Sequence, residues 1–79
     1  MKLRVLYFAS LRDAAGVAAA DVDTACNDGA ALYEELRARH GFAFPRERLR
    51  IAVDGSFSDW HAPLCEGSEV AFIPPVSGG

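Results

Sequence analysis

Little in this sequence points to chemistry performed by its own side chains. Cysteine occurs twice, as Cys26 and Cys65, with no C-x-x-C pair and no spacing that would ligate a metal. One disulfide is conceivable for the pair; the preferred expectation is two buried thiols in a cytoplasmic protein. No apolar run is long enough to cross a bilayer. Met1-Lys2 leads straight into a strand pattern, so no signal or transit segment is expected. Positive charge is scarce as well. Eight lysines and arginines face eleven aspartates and glutamates, a net charge of −3 with no evident basic cluster, which argues against a nucleic-acid partner. Each interior glycine falls at a turn or helix end, so no phosphate-cradling loop is present. His40 and His61 lack a nucleophile motif nearby. A Cys65–His61 pair has neither an oxyanion loop nor an orienting carboxylate, and a packed loop cysteine is the better reading. Repeats, linkers and low-complexity segments are missing too.

What remains is one small domain of ordinary composition, 51% hydrophobic and 24% charged. Its 79 residues sit near the size at which a single core only just suffices. Lys2 to Ala9 alternates as a strand, with Leu3, Val5 and Tyr7 inward and Lys2, Arg4, Leu6 and Phe8 outward. Ser10 is a candidate cap for a short turn over Leu11–Ala15, ended by Gly16. Val17 to Thr24 reads as a weaker strand, because alanine prefers helix. Asp28 is the candidate N-cap of the main helix. Its apolar stripe is Leu32 and Leu36 with Ala31 and Tyr33, its wet side Glu34, Glu35, Arg37 and Arg39, and its terminator Gly41. Leu49, Ile51 and Val53 mark a third strand. Asp54-Gly55 then turns a hairpin that pairs Val53 with Ser56 and Ala52 with Phe57. Glu69 to Ile73 is the last strand, Val70 and Phe72 facing one way, Glu69, Ala71 and Ile73 the other. Two strands, a helix, then further strands predict an α+β domain, a mixed sheet with one main helix across one face. The first and last strands, the most apolar, are expected at its centre, parallel, with the helix as crossover.

Two features are left without a structural role. By parity, Phe8, Phe57 and Ile73 point away from the helix, and large apolar side chains grouped on an exposed face mark a partner surface. The competing reading is that Trp60 or the Phe42–Phe44 segment folds over them. The second feature is the ending Pro74-Pro75-Val76-Ser77-Gly78-Gly79. Two prolines favour an extended path, and Ser-Gly-Gly has no bulk to pack. At roughly 3.3 Å per residue, six residues reach on the order of 20 Å, far enough to thread a narrow channel in another protein. A frayed terminus is the alternative. The domain is therefore expected over 1–73, with 74–79 as an extended flexible tail.

At this point the sequence resembles a known family. Val5-Leu6-Tyr7-Phe8-Ala9, Leu11-Arg12-Asp13 through Gly16, and the run from His61 to Gly79 are similar to small subunits of molybdopterin synthase. These are ubiquitin-like sulfur carriers with the β-grasp fold. A terminal Gly-Gly is shared by many ubiquitin-like carriers; the whole ending E-V-A-F-x-P-P-V-S-G-G is far more specific. Departures lie in the alanine-rich second strand and the Phe42–Arg48 loop.

The resemblance implies a mechanism centred on Gly79, with Gly78 beside it. An ionised carboxylate is a poor electrophile. In the family, an adenylating enzyme resembling ubiquitin-activating enzymes uses ATP to convert it to a mixed anhydride, and a sulfur-transfer system leaves a thiocarboxylate. Glycine suits the position because no Cβ obstructs the carbonyl. The charged tail then enters the large synthase subunit and gives sulfur to cyclic pyranopterin monophosphate, building the dithiolene of molybdopterin. The implied assembly is a heterotetramer. Phe8, Phe57, Ile73, Pro74, Pro75, Val76 and Ser77 are the implied partner-binding residues. No cofactor is expected to bind tightly, and catalytic side chains belong to the large subunit. The competing expectations are a carrier for thiazole synthesis, whose members usually lack the double proline, a ubiquitin-like protein modifier, and a plain interaction module.

Overall fold

Alternation in the first and last strand-like segments places both at the middle of one sheet. The computed structural model describes residues 1–75. In chain order the elements are β1 (Lys2–Tyr7), α1 (Ala9–Ala15), β2 (Ala19–Asp23), α2 (Gly29–His40), a 3-10 turn at Arg46–Arg48, β3 (Arg50–Val53), β4 (Ser56–Phe57) and β5 (Glu69–Ile73). The strands form one mixed sheet in the order β2-β1-β5-β3-β4. Strands β1 and β5 run parallel, Val5 opposite Val70 and Tyr7 opposite Phe72, while the other pairings are antiparallel. A parallel pair cannot be closed by a tight turn, and α2 lies in the crossover that joins them.

Parity decides which face is buried. Leu3, Val5, Tyr7, Val22, Ile51, Val70 and Phe72 point to one side and meet Leu32, Tyr33 and Leu36 of α2. Tyr33 is the hub, with its ring 5.3 Å from Phe72, 5.8 Å from Phe42 and 5.8 Å from Trp60. Its hydroxyl donates to the Phe44 carbonyl, which spares a buried phenol an unmade hydrogen bond. Burial pushes the Tyr33 phenol up from its usual range, against the lowering effect of the Arg37 guanidinium and with a smaller raise from Glu34. Tyr7 is raised for the same reason, opposed by Arg39.

Helix α2 begins where its sequence requires. Asp28 is extended, and its carboxylate accepts from the Ala31 N–H at 2.8 Å. The helix ends at Gly41, whose φ of 73° is the left-handed conformation glycine adopts at no steric cost. Asp54 (φ 51°) and Gly55 (φ 86°) turn the β3–β4 hairpin in the left-handed region at both positions, and the pairing is Val53–Ser56 and Ala52–Phe57.

Several expectations need correction. Ser10 does not cap α1: the helix already starts at Ala9, the N-cap residue is Phe8, and no side chain caps it. The buried stripe of α2 is Gly29, Ala30, Leu32, Tyr33 and Leu36, and Ala31 is exposed because it lies one residue off that face. Glu35 does not stand in water. It is half-buried, accepting from Thr24 Oγ1 at 3.1 Å and Cys26 Sγ at 3.6 Å, with Arg39 Nη2 3.6 Å from its other oxygen. The cysteines are not two buried thiols: both are free, Cys26 half-buried and Cys65 exposed. Cys65 escapes burial because its loop packs through Leu64, whose N–H donates to the Asn27 carbonyl at 2.8 Å.

Candidate functional site

The face of the sheet opposite α2 carries an apolar row across all five strands. The registers align Ala19 of β2, Leu6 of β1, Ala71 of β5, Ala52 of β3 and Phe57 of β4. Two alanines at the centre stand between the larger Leu6 and Phe57. Sequence reasoning placed Leu6, Ala52 and Ala71 on this face but did not choose them as site residues. Only the strand order, which brings β5 between β1 and β3, puts them in line.

Of the singled-out side chains, Phe57 ends this row, while Phe8 and Ile73 come two residues after its Leu6 and Ala71. Phe57 is 66% exposed and Phe8 44% exposed. Ile73 is half-buried, Pro74 buried and Pro75 exposed, so burial continues one residue past β5. Phe8, Ile73, Pro74 and Pro75 line one hollow, together with Ala9, Ser10 and Phe44. Phe57, Ile73, Pro74 and Pro75 line another, with Glu47, Arg48, Leu49 and Arg50. The start of the tail thus borders two hollows, an aromatic one and one edged with arginine. Ala9 follows Phe8 with a φ of 50°, a conformation that costs a non-glycine residue roughly 1–2 kcal/mol. Val76, Ser77, Gly78 and Gly79 lie outside the described residues.

The segments considered as covers lie elsewhere. Trp60 stacks on Phe72 with rings 5.9 Å apart and 8° between planes, on the helix side of the sheet. Its carbonyl accepts from Ala30 N–H at the start of α2. Phe42 is buried between Tyr33, Tyr7 and His40. Phe44 alone reaches the tail, as a wall of the first hollow.

Other chemistry finds no foothold among the described residues. No group of three histidines, cysteines or carboxylates is placed to hold a metal ion, and no helix is long and apolar enough to cross a membrane. His61 Nδ1 stands 3.7 Å from the capping carboxylate of Asp28, not from a thiol.

A mixed sheet with parallel inner strands, one long helix across a single face and an apolar opposite face defines a ubiquitin-like β-grasp protein. The chain belongs to the ThiS family, whose model matches residues 5–79. It is 35% identical over 80 residues to the molybdopterin synthase sulfur carrier subunit of Escherichia coli, spanning 98% of this chain and 99% of that protein. Among solved structures it resembles a putative molybdopterin converting factor, subunit 1, from Pyrococcus furiosus. That likeness has a TM-score of 0.78 and 29% identity, covering 96% of this chain and 99% of the other. It also resembles SAMP1 from Haloferax volcanii, with a TM-score of 0.80 and 22% identity over the whole of both chains, a likeness of fold.

Proposed function

We propose that this chain is the sulfur carrier subunit of molybdopterin synthase. The observation that carries the reading is an exposed apolar sheet face whose Phe8, Phe57 and Ile73 adjoin the start of a Pro-Pro-Val-Ser-Gly-Gly ending. The full-length match to a relative of that name supports it. The face docks and the ending delivers.

The chemistry then follows from a terminal Gly79 carboxylate. Its negative charge repels nucleophiles, so it is first activated: a carboxylate oxygen attacks the α-phosphorus of ATP on an E1-like adenylating enzyme, and pyrophosphate leaves. The acyl-adenylate carbon is open to a sulfur nucleophile from a sulfurtransferase, and AMP departs as a thiocarboxylate forms. Gly78 and Gly79 have no Cβ to crowd that carbon or the walls of a channel. Docked on the large subunit of a heterotetramer, the tail gives its sulfur to cyclic pyranopterin monophosphate. This chain contributes a sulfur atom, a surface and a reach; side-chain catalysis belongs to its partner. No cofactor is held tightly, and the ATP is the activating enzyme's. A thiazole-pathway carrier is the nearest rival, and the double proline at Pro74-Pro75 weighs against it.

Mass spectrometry tests this reading. Incubated with its adenylating enzyme, ATP and a sulfur source, the chain is expected to gain AMP and then the mass difference between sulfur and oxygen. A chain that gains neither overturns the carrier reading, and one whose glycine ends on a lysine amine is a modifier.

A further inference from the structure

Six of the seven arginines divide into two sets by what they touch. Arg4 pairs with Asp21 at 3.3 Å, Arg37 with Glu34 at 3.9 Å and Arg39 with Glu35 at 3.6 Å. Arg46, Arg48 and Arg50 have no carboxylate at ion-pair distance among the described residues. Each instead approaches an aromatic ring: Arg46 over Trp60 at 5.9 Å, Arg48 over Phe44 at 5.7 Å, Arg50 over Phe57 at 4.9 Å. Stacking uses the face of a guanidinium and leaves its N–H edge free, in the planar fork that grips a carboxylate. It also restricts the side chain beforehand, so less rotamer freedom is lost when an anion arrives.

Their location gives the arrangement a purpose. Arg48 and Arg50 wall the hollow that Ile73, Pro74, Pro75 and Phe57 complete. Glu47 shares that wall, exposed, and pairs with none of the three arginines. The sequence showed no basic cluster because the three are interleaved with Glu47 and Leu49. The turn and the start of β3 bring Arg48 and Arg50 to one side of the tail, while Arg46 stays over Trp60.

We propose that Arg48 and Arg50 form a cationic collar at the root of the tail, which selects a partner protein whose tail-accepting mouth is rimmed with aspartate or glutamate. The inference rests on the carrier reading and adds the charge of the surface that receives the tail. A protein rim is favoured over nucleic acid or an anionic bilayer, because the chain as a whole carries −3 and an extended polyanion meets that repulsion. A few carboxylates at a mouth meet only the collar.

The test titrates the full chain into the large subunit of the synthase from the same organism. Between low and high salt the wild-type affinity should fall about tenfold, as for charged rims. Changing Arg48 and Arg50 to glutamine should lower the low-salt affinity about tenfold, mainly through slower association, and flatten the salt dependence. Lysine at both positions should restore the salt dependence with weaker binding, since it keeps charge and loses the fork. Thermal unfolding checks the fold, and Arg48→Gln alone, at an exposed position, serves if the double variant does not fold. Unchanged affinity and salt dependence on removing the arginines would overturn the collar while leaving the carrier reading intact. Equal affinity of the wild type for an RNA oligonucleotide would overturn it too. A wild-type chain that never binds the large subunit would remove both.

Discussion

Gly29 and Ile51 occupy each other's space: a Cβ on Gly29 would fall on the Ile51 Cδ1 atom. The first residue of α2 is thereby pressed against β3, and the Trp60 carbonyl lies next to the same point. Helix propensity favours alanine over glycine by about 1 kcal/mol, yet here its Cβ would force the buried Ile51 side chain to shift. Gly29→Ala should destabilise the fold by about 1–3 kcal/mol, as overpacking does. Chemical denaturation checks it, and Ile51→Val in the same chain should recover part of the loss. A neutral or stabilising Gly29→Ala would show that α2 and β3 are not in this contact.

Phe57 should matter for binding and hardly for folding. It is 66% exposed on a two-residue edge strand, and its one close companion is Arg50. Phe57→Asp should leave stability within about 1 kcal/mol. It should weaken large-subunit binding by tenfold or more, measured by calorimetry, because a charge then meets an apolar partner surface, an effect on the order of 2 kcal/mol.

Deleting Gly79 is expected to abolish sulfur transfer, read as loss of the thiocarboxylate mass, with stability changed by no more than about 0.5 kcal/mol. Substantial unfolding on deletion would mean that the ending serves the fold instead.

Alkaline stability should report on the tyrosines. Burial raises the folded-state phenol of Tyr33 and of Tyr7 above the unfolded value near 10. The native state therefore holds these protons more tightly. Their contribution is complete below pH 10 and is lost as pH rises beyond it, since the unfolded chain ionises first. Circular dichroism through that range should show the loss. Tyr33→Phe should shrink this part of the alkaline loss while costing about 0.5–1.5 kcal/mol at neutral pH, through the bond to the Phe44 carbonyl.

Replacing the helix cap gives a local measure. Asp28→Ala should cost about 0.5–2 kcal/mol, through the Ala31 N–H it leaves without a side-chain partner. A denaturation midpoint unchanged by this substitution would place the cap elsewhere.

Local rules carried much of this protein. Alternation placed β1, β3 and β5, the Asp54-Gly55 pair fixed the hairpin and its register, and Asp28 and Gly41 bounded α2, because each depends on neighbours a few residues away. The ending and the strand preceding it were enough to indicate the family. What failed was of another kind. Ser10 looked like a cap because its chemistry suits one, but the backbone had entered the helix at Ala9. Cys65 looked like core, and Glu35 like surface, because burial depends on what packs from elsewhere in the chain.

The amino-acid order alone determined which faces are apolar and where the chain must turn, since period and turn chemistry are properties of adjacent residues. Only the tertiary structure decided what those faces meet. By inserting β5 between β1 and β3 it lined up Leu6, Ala71, Ala52 and Phe57, and it set Arg48 and Arg50 beside Ile73 and Pro74. Neighbours drawn from opposite ends of a chain are chosen by strand order and packing, and no local pattern encodes them.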